Sequence, residues 1–110
     1  MASEAARLAK NIRTLLELNG WFVWRGGSVR LRAGQIIGSV GAPDLNCVKD
    51  GRYMGVEIKY GKDRKSPEQI GFHEMLRAKG CLVVVARGIK DVEQAIDALA
   101  VTTDTQKGQS

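Results

Sequence analysis

The sequence predicts an α/β domain, a mixed sheet flanked by helices with elements in the order α-β-β-β-α-β-α. Three observations predict it. The stretch from Gly41 to Lys59 reads as two short apolar runs that meet at Asp50-Gly51, the dipeptide best suited to a two-residue type I′ hairpin turn. Ser66-Pro67-Glu68-Gln69 then supplies an N-cap, a first-turn proline and a glutamine three residues past the cap, a strong helix start. Cys81 to Ala86 is a continuous apolar, β-branched run, as expected of a strand covered on both faces. Hairpin strand, helix and strand in that order make a crossover with parallel strands.

The remaining elements follow from local signals. Ser3 can cap a helix with Glu4 in its first turn, where a carboxylate suits the dipole. Ala5, Leu8, Ile12, Leu15 and Leu16 form its apolar stripe, and Asn19-Gly20 ends it. Trp21 to Arg25 is a strand by composition. The stretch from Gly26 to Gly41 holds five glycines. Val29 to Arg32 alternates like a short strand, and the rest reads as a long loop, a basic flap able to touch phosphate. Ile89 to Leu99 forms a helix with Val92, Ala95, Ile96 and Leu99 inward. Residues 1–101 are expected as one domain and residues 102–110 as a flexible polar tail.

The hairpin carries the chemistry. With Asp50 and Gly51 as the turn, paired residues have numbers that sum to 101, so Asp44 faces Glu57. Opposed side chains on antiparallel strands have Cβ atoms about 4.5–5.5 Å apart. Two carboxylates that close repel each other unless a cation or a proton intervenes. Lys59 shares their face by strand alternation, while Leu45, Cys47, Met54, Val56 and Ile58 make the opposite, core face. An acid pair with a lysine suits phosphodiester hydrolysis. The carboxylates would hold Mg²⁺ or Mn²⁺, and the lysine would act on the attacking water. The plainer alternative is a polar hairpin face with Lys59 paired to Glu57 on the surface, an interaction worth little.

Pro43-Asp44 followed by Glu57-Ile58-Lys59 resembles the signature of the PD-(D/E)XK nuclease superfamily. Gly41-Ala42-Pro43-Asp44-Leu45, Val56-Glu57-Ile58-Lys59 and Ser66-Pro67-Glu68-Gln69 are most similar to its VRR-NUC branch, over roughly residues 4 to 87. The resemblance implies a restriction-endonuclease-like core. It also implies Asp44, Glu57 and the Ile58 backbone carbonyl as metal ligands, Lys59 as the catalytic lysine and Gln69 in support. The superfamily often brings an acid from its first helix, here Glu4, whose alternative is a solvated helix-start residue. Gln69 could equally serve only to close a capping box with Ser66. His73, one turn beyond Gln69, reads first as a packed residue.

A net charge of +5 favours an anionic partner. Arg25, Arg30, Arg32, Lys62, Arg64 and Lys65 are candidate phosphate contacts, which position DNA without reading its sequence. The expected activity is structure-selective cleavage of branched DNA such as Holliday junctions or flaps, as the resemblance implies, by a homodimer. The competing reading is a non-catalytic basic nucleic-acid-binding module with a relic acidic site. No apolar run of membrane-spanning length and no signal-peptide core are present, so a cytoplasmic protein is expected. Cys47 and Cys81 read as buried free thiols, and no zinc-site spacing exists. A membrane-surface role fits poorly, since neither flanking helix has a strongly basic face with bulky apolar anchors.

Overall fold

Ser3 accepts a hydrogen bond from the Ala6 amide and starts helix α1 (Glu4–Leu18), which closes at Asn19-Gly20 with Gly20 at φ +89°. The chain then forms β1 (Phe22–Arg25), β2 (Ser28–Arg30), β3 (Ile36–Gly38), β4 (Leu45–Lys49) and β5 (Arg52–Ile58). Helix α2 (Pro67–Ala78), strand β6 (Leu82–Ala86) and helix α3 (Ile89–Gln109) complete it. The computed structural model describes residues 3–26, 28–30, 32–33 and 36–109, and only the backbone of 28–30, 36–38 and 101–109.

The main sheet has the order β1-β4-β5-β6. Strands β1, β4 and β5 run antiparallel to their neighbours, and β5 pairs in parallel with β6 across α2. This is the expected α-β-β-β-α-β-α order. Strand β6 lies at the sheet edge, however, and is only partly covered, with Leu82 39% exposed. Its continuous apolar run therefore overstates its burial. The glycine-rich stretch also holds more order than a single short strand, because Ser28–Arg30 and Ile36–Gly38 pair as a separate two-stranded ribbon. Helix α3 continues past Leu99 through the stretch expected as a tail. No proline interrupts residues 101–109, and extending an existing helix needs no new nucleus.

One face of the sheet holds the apolar core. Leu45, Cys47, Met54 and Val56 pack there with Ile12 and Leu16 of α1, Val23 of β1, Ala86 and Val92. Helices α1 and α3 cover this face and touch each other. Cys47 is fully buried and Cys81 half-buried, both as free thiols. Helix α2 lies over the opposite face, and its one fully buried residue is His73. A layer whose buried centre is an imidazole rather than a leucine is poor packing material, which marks that face as the polar one.

Candidate active site

The hairpin turn takes the expected form, with Asp50 at φ +51° and Gly51 at φ +77°. Its ladder pairs Lys49 with Arg52, Val48 with Tyr53, Cys47 with Met54, Asn46 with Gly55 and Leu45 with Val56, the anticipated register. Asp44 stands one residue before β4, opposite Glu57. Its Oδ2 accepts from the Ile58 amide at 2.8 Å, and its carbonyl accepts from the Gly26 amide at 2.8 Å. The residue is thus tied to the ends of β5 and β1 together.

The loop that delivers Asp44 is held by close packing at two glycines. Gly41 adopts φ +87°, which a side chain disfavours, and a Cβ there would stand 2.4 Å from the Glu68 carbonyl oxygen in the first turn of α2. Pro43, fully buried, lies over Gly55, where a Cβ would come within 2.7 Å of the proline Cγ. Glycine at 41 lets the loop touch α2, and glycine at 55 lets the proline sit on β5. Together they set where Asp44 projects.

Glu57 is 1% exposed, and both its oxygens meet donors from α2. Gln69 Nε2 donates to Oε2 at 3.2 Å, and His73 Nε2 lies 3.2 Å from Oε1. Gln69 makes two contacts at once, because its Oε1 accepts from the Ser66 amide in the capping box while its amino group donates to Glu57. Burial first, and then the Asp44 carboxyl within hydrogen-bonding reach, push Glu57 up to about 8. The charges of Lys59 and Lys65 pull it the other way. Burial pushes the His73 ring down, as do the Lys65, Arg77 and Lys59 cations, so a neutral ring meets Glu57.

These donors fit a hard divalent cation. Two adjacent carboxylates, one buried and reluctant to ionise, form a site short of positive charge. The Ile58 carbonyl leaves the strand on the same side as its amide, toward Asp44. Among the described residues no three His, Cys, Asp or Glu side chains cluster as a metal site. Glu4 is exposed in the first turn of α1.

The basic residues divide into groups. Lys59 and Lys65 are half-buried near Glu57, so Lys65 belongs to the acid pair's electrostatics as well as to the loop. Lys62 and Arg64 are exposed on that loop, which Arg87 ties down through the Gly61 and Asp63 carbonyls at 3.1 and 2.8 Å. Arg25 lines an open cleft of about 860 Å³ with Asp44, Ile58 and three alanines of α1. Lys10 and Arg13 line it too, and the sequence did not single them out. Arg32 is exposed at a turn, and the Arg30 side chain lies outside the described residues. His73 is packed, as expected, and its ring also meets Glu57, its spacing one turn after Gln69 being the signal for that contact.

No family model matches the chain, and no curated protein sequence is similar to it. Similarity to solved structures is clear. One, described as "VRR_NUC domain", superposes with a TM-score of 0.69 at 28% identity, covering 87% of this chain and 97% of that one. The match supports a VRR-NUC domain. That fold implies a nuclease of the PD-(D/E)XK type, a class that in general uses divalent metals. In this chain the acid pair stands at the end of the central strands. No described helix is long and apolar enough to cross a membrane.

Proposed function

We propose that this domain is a Mg²⁺- or Mn²⁺-dependent endodeoxyribonuclease that cuts branched DNA by hydrolysing phosphodiester bonds. One observation carries the reading. The hairpin register sets Asp44 beside a buried Glu57, at a cost that a bound cation relieves. Asp44, Glu57 and the Ile58 carbonyl would hold the ion, leaving its other positions to water and phosphate. A bound ion would supply a more acidic water and polarise the phosphoryl oxygen. Lys59, on the Glu57 face, orients the attacking water and offsets the charge that develops on the phosphoryl group. Gln69 keeps Glu57 pointed at the site.

Substrate would enter along the α1 cleft, whose Lys10, Arg13 and Arg25 suit phosphate oxygens, and along the loop carrying Lys62, Arg64 and Lys65. The ribbon of β2 and β3, with Arg30 and Arg32, adds further positive charge. Nothing in this set resembles a major-groove reader, which favours selection by DNA shape over sequence. A homodimer would place two such sites for paired cuts. The test incubates labelled four-way junction, flap, single-stranded and duplex DNA with Mg²⁺, Mn²⁺ or EDTA. Metal-dependent cutting of the branched forms is expected, and Asp44→Ala and Lys59→Ala should abolish it. Binding without cutting in any metal would leave a nucleic-acid-binding module instead. Light scattering at micromolar concentration should give twice the chain mass.

A further inference from the structure

His73 has no part in the chemistry above, yet it is the one fully buried residue of α2 and its ring meets Glu57. Its Nε2 lies 3.2 Å from Glu57 Oε1, while its Nδ1 is buried with no hydrogen-bond partner among the described residues. The unpartnered nitrogen fixes the tautomer. A buried N–H without an acceptor costs more than a buried lone pair without a donor, so the proton belongs on Nε2. The ring is then a donor to Glu57. Gln69, one turn earlier, donates to the other oxygen. Both donors come from the α2 side of the carboxylate and leave its remaining lone pairs for the Asp44 side.

Packing alone does not account for an imidazole here. Leucine would fill the space under α2 without burying a polar ring and orphaning one of its nitrogens. What leucine could not do is hold a carboxylate oxygen. We infer that His73 is a positioning residue that locks the Glu57 carboxylate, through Nε2–H, in the one orientation that meets a divalent cation shared with Asp44. The role rests on the metal-site reading. His73 touches neither substrate nor ion and acts only through Glu57, as outer hydrogen-bond partners of metal ligands do.

The test titrates Mn²⁺ into metal-stripped full-length protein by calorimetry, with thermal melts alongside. His73→Leu should fold with a melting temperature at or near that of the wild type and bind Mn²⁺ about 10–100-fold more weakly. His73→Gln, whose amide nitrogen can stand where Nε2 stands, should recover most of the affinity. His73→Asn, one bond too short to reach, should not, and it serves if the leucine variant fails to fold. Wild-type affinity in folded His73→Leu or His73→Asn would overturn the inference, as would equal weakening by Gln and Leu. Asp44→Ala and wild type calibrate the assay. A wild type that takes up no Mn²⁺ overturns the metal site itself and the His73 role with it, an outcome told apart by the wild-type curve alone.

Discussion

On the α2 side of the sheet Glu57 is sealed, 1% exposed and held at both oxygens by side chains of one helix. On the α1 side Asp44 opens onto a cleft lined by Lys10, Arg13 and Arg25, with a single backbone amide on its carboxylate. The two acids are neighbours in space and opposites in setting. One is part of the packed structure, and the other faces whatever enters. A carboxylate pair intended only for stability would have no need of the asymmetry. A site that grips a cation from within and receives a phosphate from without needs both halves.

The strongest test of this contrast is to remove each acid in turn. Asp44→Ala and Glu57→Ala should each lower cutting by about 10³-fold, the order expected when a group that stabilises transition-state charge is lost. Their stabilities should part. Asp44→Ala gives up the hydrogen bond from the Ile58 amide and the contact with the Glu57 carboxyl, together worth about 1–2 kcal/mol, while easing the repulsion on Glu57. Glu57→Ala leaves the Gln69 and His73 donors buried without partners, at about 1–3 kcal/mol each. Urea melts of the metal-free variants measure the gap, and equal losses would break the comparison.

A smaller effect should come from the glycines that aim the acid loop. Gly55→Ala puts a Cβ 2.7 Å from Pro43 Cγ and 3.0 Å from the Tyr53 hydroxyl. Overpacking of that kind costs about 1–3 kcal/mol. Displacing the Pro43-Asp44 segment should lower cutting by about 10²-fold. Gly51→Ala, in the turn at the far end of the same hairpin, meets no neighbour within 4 Å but sits at φ +77°. It should cost about 1–2 kcal/mol in backbone strain and leave cutting intact once folded. Nuclease assays on folded fractions of both variants decide whether aim or stability is what Gly55 protects.

The parts that were legible in the sequence are those decided by local rules. Asp50-Gly51 fixed the turn, the turn fixed the register, and the register put Asp44 opposite Glu57. Ser66-Pro67-Glu68-Gln69 likewise marked the start of α2 to the residue. What escaped depends on contacts between distant segments. Nothing near Gly41 announces that it rests on Glu68, and nothing near His73 shows that its ring reaches a strand 16 residues back. Lys10 and Arg13 went unmarked because helical periodicity finds the apolar face and says nothing of what lines a cleft. The ribbon of β2 and β3 was hidden by glycines that break the alternation on which strand reading relies.

The mildest effect concerns pH in the metal-free protein, and its sign follows from the sealed side alone. Glu57 is raised from its ordinary 4.5 to about 8. The folded state therefore holds a proton that the unfolded chain releases, and its stabilising contribution is full below about 4.5 and lost as pH rises through about 8. His73 runs the other way. Its ring stays neutral when folded, so the unfolded chain takes up a proton and stability falls below about pH 6.5. In EDTA the melting temperature should be highest at about pH 6.5 or just below, where the two effects offset each other, and drop by roughly 5 °C toward pH 9. Glu57→Gln, which has no proton to lose, should flatten the alkaline limb. Added Mg²⁺ should raise the melting temperature more at pH 8.5 than at pH 6, since the ion takes the ionised carboxylate and competes with the proton for it. An alkaline limb unchanged in Glu57→Gln would mean that the sealed acid is not the group that feels the pH, and the contrast between the two sides of the sheet would lose its electrostatic basis.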